Sequence, residues 1–309
     1  MDNIICIAGP TASGKTALAV ELAKITNGEV VSCDSMQVYR RMDIGTAKPS
    51  KEEMQGIPHH MLDVAEPTED FSVSRYCAMA APIVEDIISR GKTAVIAGGT
   101  GLYMDSLIKG NDFAPFPSTG VRERLEAQAD SEGMDAMRNL LQSIDPEAAA
   151  RIHDRKRLIR ALEVYYETGE TITAHNRRTQ ELPPKYTPLW LGLDFAERQT
   201  LYDRIDLRVD IMLQQGLIKE IRDLLGSGIP EKCTAMQAIG YKEFVAAIRG
   251  HCSLETAAVE VKKASRHYAK RQLTWFRRNK AIHWLVRQPE DGPEEILMNA
   301  RQLLHEFDN

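Results

Sequence analysis

The eight residues Gly9-Pro10-Thr11-Ala12-Ser13-Gly14-Lys15-Thr16 fit the pattern G-x-x-x-x-G-K-[ST]. They directly follow Ile4-Ile5-Cys6-Ile7-Ala8, a short apolar run that reads as a buried strand. A strand that ends in this loop and runs on into Ala17-Leu18-Ala19-Val20-Glu21-Leu22, which has helical spacing, admits few folds. The glycines let the backbone wrap a diphosphate so that successive N–H groups point at it, and the following helix adds its positive N-terminal end. Lys15 is placed to neutralise the terminal phosphates, and Thr16 to hold Mg²⁺ through its hydroxyl. The loop leaves open which diphosphate it holds and what becomes of it.

The alternation continues. Glu29-Val30-Val31-Ser32-Cys33 reads as a second strand ending at Asp34, and Thr93-Ala94-Val95-Ile96-Ala97 as a third ending at Gly98-Gly99-Thr100-Gly101. Leu189-Trp190-Leu191-Gly192-Leu193 reads as a fourth, ending at Asp194. Helical patterns lie at 14–25, 72–90 and 101–109, so the expected fold is α/β: a P-loop-type parallel sheet with helices on both faces. Residues 121–180 differ. They are rich in Ala, Arg, Glu and Leu at helical spacing, with no convincing strand, and Phe113-Ala114-Pro115-Phe116-Pro117 and Leu182-Pro183-Pro184-Lys185 punctuate their ends. The expected organisation is therefore a core in two parts, 1–112 and 187–309, interrupted by a small all-helical domain at 113–186. Two long amphipathic patterns, 197–225 and 254–279, fill most of the second core part.

At 309 residues, 43% of them apolar and 27% charged, the chain can bury a sizeable core. Met1-Asp2-Asn3 lacks the basic region of a signal peptide and no stretch approaches a membrane span, so a cytoplasmic location is expected. The five cysteines form no C-x-x-C pair and suggest neither a disulfide framework nor a zinc site. A net charge of −5 argues against indiscriminate coating of nucleic acid. That average hides eight Lys/Arg and no acid between Lys262 and Lys280, against −13 for the rest of the chain. On a helix, Lys263, Arg266, Lys270, Thr274 and Arg277 share one face, and Val261, Ala264, Tyr268, Gln272 and Trp275 another. A cationic stripe without compensating acids points to an anionic backbone more than to a solvated face.

Chemistry in open α/β sheets gathers at the carboxyl ends of the strands. Asp34 stands there, suited to act as a general base or to bind a metal-held water, though Asp34-Ser35 would also start a turn. Ser35, Met36 and Gln37 follow at once, and a glutamine suits the edge of an adenine. Thr100, between glycines, reads equally as a ligand contact or as a helix N-cap. Arg204 and Arg208, four apart, present two guanidiniums to a diphosphate or else pair with Asp203, Asp206 or Asp210. His59-His60 lacks companions at ligand spacing and carries no metal expectation.

These segments, with I-G-T-A-K-P (44–49), P-H-H (58–60), F-S-V (71–73), G-G-T-G-L-Y (98–103), R-A-L-E-V (160–164), Q-A-I-G-Y-K (237–242) and Y-A-K-R-Q-L-T-W-F-R (268–277), occur in one order. From about residue 3 to 285 the chain resembles the bacterial tRNA dimethylallyltransferase (tRNA isopentenyltransferase) family. The resemblance implies transfer of a dimethylallyl group from dimethylallyl diphosphate to N6 of the adenine 3′ of a tRNA anticodon. Gly9 to Thr16 and Arg208 would then hold the leaving diphosphate with Mg²⁺. Asp34 would take the N6 proton, Thr100 would orient the adenine, and Lys15 would stabilise the departing charge. Asp34, Ser35, Met36, Gln37, Thr100, Arg122, Arg266 and Lys270 are the implied tRNA contacts, and the inserted domain would grip the anticodon stem-loop. The target base must leave its stack, and the basic helix implies salt-dependent affinity. One departure stands out: members usually carry Pro-Asn within I-H-P-N-D, where this chain runs straight through Ile152-His153-Asp154. Nothing demands more than a monomer. An adenylate isopentenyltransferase, with a free nucleotide as acceptor, and a P-loop small-molecule kinase, for which the loop would be an ATP site, are the rival enzymes. The insertion and the basic helix favour tRNA over a free nucleotide, whereas the P-loop and Asp34 taken alone would favour the kinase.

Overall fold

The computed structural model describes residues 3–110, 119–181 and 183–308. Met1, Asp2, the Phe113-to-Pro117 segment and Leu182, all used in the sequence reading, lie outside the described residues. The chain divides into two compact units, one from residues 1–110 and 186–309 and the other from 111–185.

The first unit begins with β1 (Ile4–Ala8), α1 (Lys15–Ile25) and β2 (Glu29–Ser32). There follow α2 (Lys51–Met54), β3 (His59–His60), α3 (Val73–Ser89), β4 (Ala94–Gly98) and α4 (Gly101–Lys109). The second unit holds α5 (Val121–Glu132), α6 (Met134–Ile144), α7 (Pro146–Arg151), α8 (Arg155–Thr168) and α9 (Ile172–Glu181). The first unit resumes with β5 (Leu189–Phe195), α10 (Arg198–Gln214), α11 (Leu217–Gly226), α12 (Lys242–Ile248) and α13 (Leu254–Phe276). It closes with β6 (His283–Arg287) and α14 (Pro293–Asp308).

All six strands run parallel in the order β3-β2-β4-β1-β5-β6. Strands this thoroughly apolar need cover on both sides, and the pleat of β1 shows how it is provided. Ile4, Cys6 and Ala8 join the cluster that contains Tyr76, Met104, Val261 and Phe276, from α3, α4 and α13. Ile5 and Ile7 face the other way, with Leu18 and Leu22 of α1 and Ile296 and Ala300 of α14. The expected α/β sheet with helices on both faces is thus present.

Strand order decides what meets at the carboxyl edge. Central β1 delivers the phosphate loop, its neighbour β4 delivers Gly99-Thr100, and β2 beyond it delivers Asp34. The register Ala8 to Gly98 and Ser32 to Ala97 brings those ends level.

Three features differ from the sequence reading. The single amphipathic pattern at 197–225 is two helices, because Gly216 sits at φ 101° and ends α10. The short strand β3 and the pair β6 and α14 were not anticipated. Among the described residues no helix is long and apolar enough to cross a membrane.

Within the second unit, Leu125, Met137, Leu141, Leu158 and Leu162 build a separate apolar core. Asp145 staples it: Oδ1 accepts from Ala148 N at 3.0 Å and from Thr173 Oγ1 at 2.8 Å, and Oδ2 from Thr173 N at 2.9 Å. The shortened Ile152-His153-Asp154 segment forms the α7–α8 joint, where Asp154 caps α8 by accepting from Arg157 N. On the first unit, Tyr186 N donates to Ile108 O at 3.1 Å, so the chain resumes beside the point where it left.

Candidate active site

The phosphate loop has the geometry its glycines promise. Gly14 sits at φ 97°, a left-handed turn that an L side chain would strain, immediately before Lys15 opens α1. The first-turn N–H groups of α1 therefore face the loop. Lys15 Nζ donates to Pro10 O at 2.6 Å. Burial, and next the Arg208 guanidinium, pull its ammonium down to about 7, while Asp34 works in the opposite sense. Arg208 is itself lowered by burial, with Glu53 and Asp34 opposing. Lys15, Arg208 and Asp34 thus share one electrostatic environment with two cations and one acid, which suits an incoming polyanion. Ser13, 2% exposed, has a hydroxyl without a partner among the described residues, a further donor inside the loop.

Within the loop, Thr11 N donates to Gln272 Oε1 of α13 at 2.9 Å. Ala12 contributes by its carbonyl, which accepts from Arg204 Nε at 3.0 Å. Arg204 thereby braces the loop and, among the described residues, makes none of the expected aspartate pairs.

Asp34 forms the turn the sequence allowed. Oδ1 accepts from Met36 N at 2.8 Å and Gln37 N at 3.3 Å, an Asx turn, and Oδ2 keeps no hydrogen-bond partner among the described residues. The N–H of Ser35 donates to Thr100 Oγ1 at 3.0 Å, which ties the Asp34 turn to the β4–α4 junction. Thr100 occupies the N-cap position of α4, but its side chain makes no capping bond. The hydroxyl is turned to Ser35, and the side-chain cap reading falls away.

Gln37 turns its amide toward the protein. Its Nε2 donates to Thr46 O and Ala47 O at 3.3 and 3.1 Å, and its Oε1 accepts from Ser32 Oγ at 3.0 Å. An amide so engaged pins the 44–49 loop. That loop is held from its other side by Glu220, whose carboxylate accepts from the N–H groups of Asp43, Ile44 and Gly45 and from Tyr241 Oη. The 44–49 and 237–242 segments thus meet on one half-buried acid that sequence spacing gave no means of finding.

The basic face of α13 is less free than its composition implied. Arg266 Nη1 donates to Asp206 Oδ1 at 2.5 Å, Lys262 Nζ lies 2.7 Å from Asp210 Oδ1, and Arg277 Nη2 donates to Asp194 Oδ2 at 2.8 Å. The compensating acids absent from the segment come from α10 and β5. Lys270 makes no ion pair among the described residues; with Arg271, Thr274, Trp275 and Arg278 it lines an open cavity of about 260 Å³. The Arg278 guanidinium stacks 3.9 Å from the Trp275 ring centroid. In the second unit Arg122, half exposed, lies 3.4 Å from Glu126 Oε1 and 3.8 Å from Glu163 Oε2. His59 Nδ1 and His60 Nε2 bond Ile57 O and Glu29 Oε2.

Comparison with known proteins shows the family. The model of the family described as IPP transferase matches residues 37–279. The chain belongs to the IPP transferase family. It is 44% identical to the tRNA dimethylallyltransferase of Acetivibrio thermocellus over 99% of both chains. It is 48% identical to that of a Thermoanaerobacter species over 98% of this chain and 97% of the other. Among solved structures of this family, the tRNA isopentenylpyrophosphate transferase of Bacillus halodurans superposes with a TM-score of 0.74 at 42% identity, over 99% of this chain and 98% of that one. A eukaryotic dimethylallyltransferase captured acting on tRNA gives 0.84 at 30% identity, over 98% and 79%.

Proposed function

We propose that this member of the family transfers a dimethylallyl group from dimethylallyl diphosphate to N6 of the adenine 3′ of a tRNA anticodon, releasing diphosphate. The observation that carries the reading is the shared carboxyl edge: a phosphate loop with Lys15 and Arg208 on one side, and Asp34 tied to Thr100 through Ser35 on the other. The loop and its cations serve a leaving group and the acid serves a proton. The allylic C–O bond breaks, the electron pair stays with the diphosphate, and positive charge develops on carbon. N6 forms the new C–N bond and gives its proton to Asp34, whose Oδ1 is fixed by two N–H donors while Oδ2 remains to receive it. Thr100 orients the adenine through its hydroxyl.

Lys15, Arg208 and the N–H groups at the start of α1 stabilise charge on the departing diphosphate oxygens. Among the described residues no three His, Cys, Asp or Glu side chains cluster as an all-protein cage. The donor set fits Mg²⁺, which typically keeps waters and phosphate oxygens and takes few protein ligands; Thr16 would hold it, and it would supply Lewis-acid stabilisation to the leaving group. Lys270 and the second unit with Arg122 would contact the tRNA, the protein acting as a monomer in the cytoplasm, where its substrate resides.

The test is transfer of label from [³H]dimethylallyl diphosphate by purified protein with Mg²⁺. Label is expected in unmodified tRNA. Label in free AMP and none in tRNA, or phosphoryl transfer from ATP in place of prenylation, would overturn the reading.

A further inference from the structure

The face of α13 opposite its cations meets the site. Tyr268, Gln272 and Trp275 recur at i, i+4 and i+7, so they form one stripe along the helix. Each lies against one part of Gly99-Thr100-Gly101. Gln272 Nε2 donates to Gly99 O at 3.0 Å, and the Tyr268 phenol faces Thr100, Gln272 and the Asp34 carboxylate. The Trp275 ring packs against Gly101 so closely that a Cβ there would lie 2.1 Å from Trp275 Cδ1, and Trp275 Nε1 is fixed by Asp105 Oδ2 at 2.8 Å. Gln272 alone among the three also reaches the phosphate loop, through Thr11 N.

We propose that Gln272 is a positioning residue for the transfer, setting the distance between the donor's cradle and the acceptor side through one buried amide. The side chain is 5% exposed and both ends of its amide are used: Oε1 accepts from Thr11 N and Nε2 donates to Gly99 O. Thr11 belongs to the loop that holds the leaving group, and Gly99 precedes the threonine that orients the acceptor. Neither bond touches a reacting atom. What they fix is the spacing between two loops that leave adjacent strands β1 and β4. A displacement of about 1 Å between reacting groups costs up to about a hundredfold in rate. Gly99 completes the latch, since a Cβ at that position would lie 2.1 Å from Gln272 Nε2 and push the amide away.

The inference rests on the prenyl-transfer reading, and wild-type enzyme assayed alongside separates the two. Gln272→Glu keeps size and shape and can still accept from Thr11 N, but it sets a carboxylate oxygen against the Gly99 carbonyl. We expect kcat to fall about 30-fold or more, with the donor KM and the tRNA Kd each within about threefold of wild type. Gly99→Ala should lower kcat comparably. In a Gln272→Ala background, where the amide it displaces is gone, Gly99→Ala should cost less than about threefold, as expected if the methyl acts through that amide, while the fall in kcat at unchanged donor KM and tRNA Kd separates positioning from a general loss of structure. Unchanged kcat in Gln272→Glu, losses that multiply in the double variant, or a kcat loss matched by loss of tRNA binding would each overturn the proposal while leaving wild-type transfer intact. Absence of transfer by wild type would overturn both readings.

Discussion

At Asp34 two backbone N–H groups converge on Oδ1 and hold the carboxylate where β2 ends, so one side chain forms the turn and, in the proposed reaction, accepts the proton. An amide in its place keeps the Oδ1 acceptor that holds the turn and removes the base. Asp34→Asn is expected to lower transfer by at least about 10³-fold while tRNA affinity, measured by filter binding, stays near wild type. Glu29 shows the opposite use of an acid. It is 4% exposed, at the amino edge of the sheet, and Arg90 above all, then Lys92 and His60, hold its carboxyl below the usual range. A depressed folded pKa means stability present above about pH 4.3 and lost as pH falls through the folded value. Glu29→Gln should cost about 2 kcal/mol at pH 7, below the range for fully buried pairs because Arg90 and Lys92 are 37% and 31% exposed. It should also flatten the acid limb of the denaturation curve, which chemical unfolding between pH 3 and 7 would reveal. That Lys15, Asp34 and Thr100 meet at the carboxyl edge was legible because glycine-rich loops and strand ends announce themselves. The two glutamines were not. Gln37 looked like a base reader, but its amide is engaged by Ser32, Thr46 and Ala47 in a loop of irregular backbone that no periodicity describes, and Gln272 looked like one member of a helix face because its partners Thr11 and Gly99 lie far along the chain.

Elements with an unbroken apolar run were legible to within a residue or two: β1, β2, β4 and β5 follow their Ile, Val, Leu and Ala content. His283-Trp284-Leu285-Val286-Arg287 mixes exposed and buried positions at the sheet's edge and gives a weaker signal, and two-residue β3 exists only because β2 is beside it. The same blindness to partners applied to α13. Its cations looked uncompensated, yet α10 supplies Asp206 and Asp210 from across a helix–helix contact. A phosphate must compete with Asp206 for Arg266, but not for Lys270. Lys270→Ala is expected to lower the slope of log K against log salt for tRNA binding by about 1, and Arg266→Ala by less. Equal slopes for both variants and wild type would return this face to ordinary solvated surface.

For the molecule as a whole, the P-loop unit closes on itself: Tyr186 N to Ile108 O joins the two sides of the interruption, and the second unit has its own core. Replacing 111–185 with a short Gly-Ser linker should leave a cooperative thermal transition and the diphosphate affinity of the sheet unit, both measurable by calorimetry, while tRNA binding weakens by at least tenfold. The interruption was readable because residues 121–180 lack strands. The central claim is that the loop at Gly9 to Thr16 holds a leaving group while an adenine N6 attacks carbon. Its most direct test is nucleoside analysis of tRNA after reaction, with released diphosphate counted in the same tube. One N6-dimethylallyladenosine 3′ of the anticodon per diphosphate is the result expected. Diphosphate release without that nucleoside, or the prenyl group on any other atom, would contradict it.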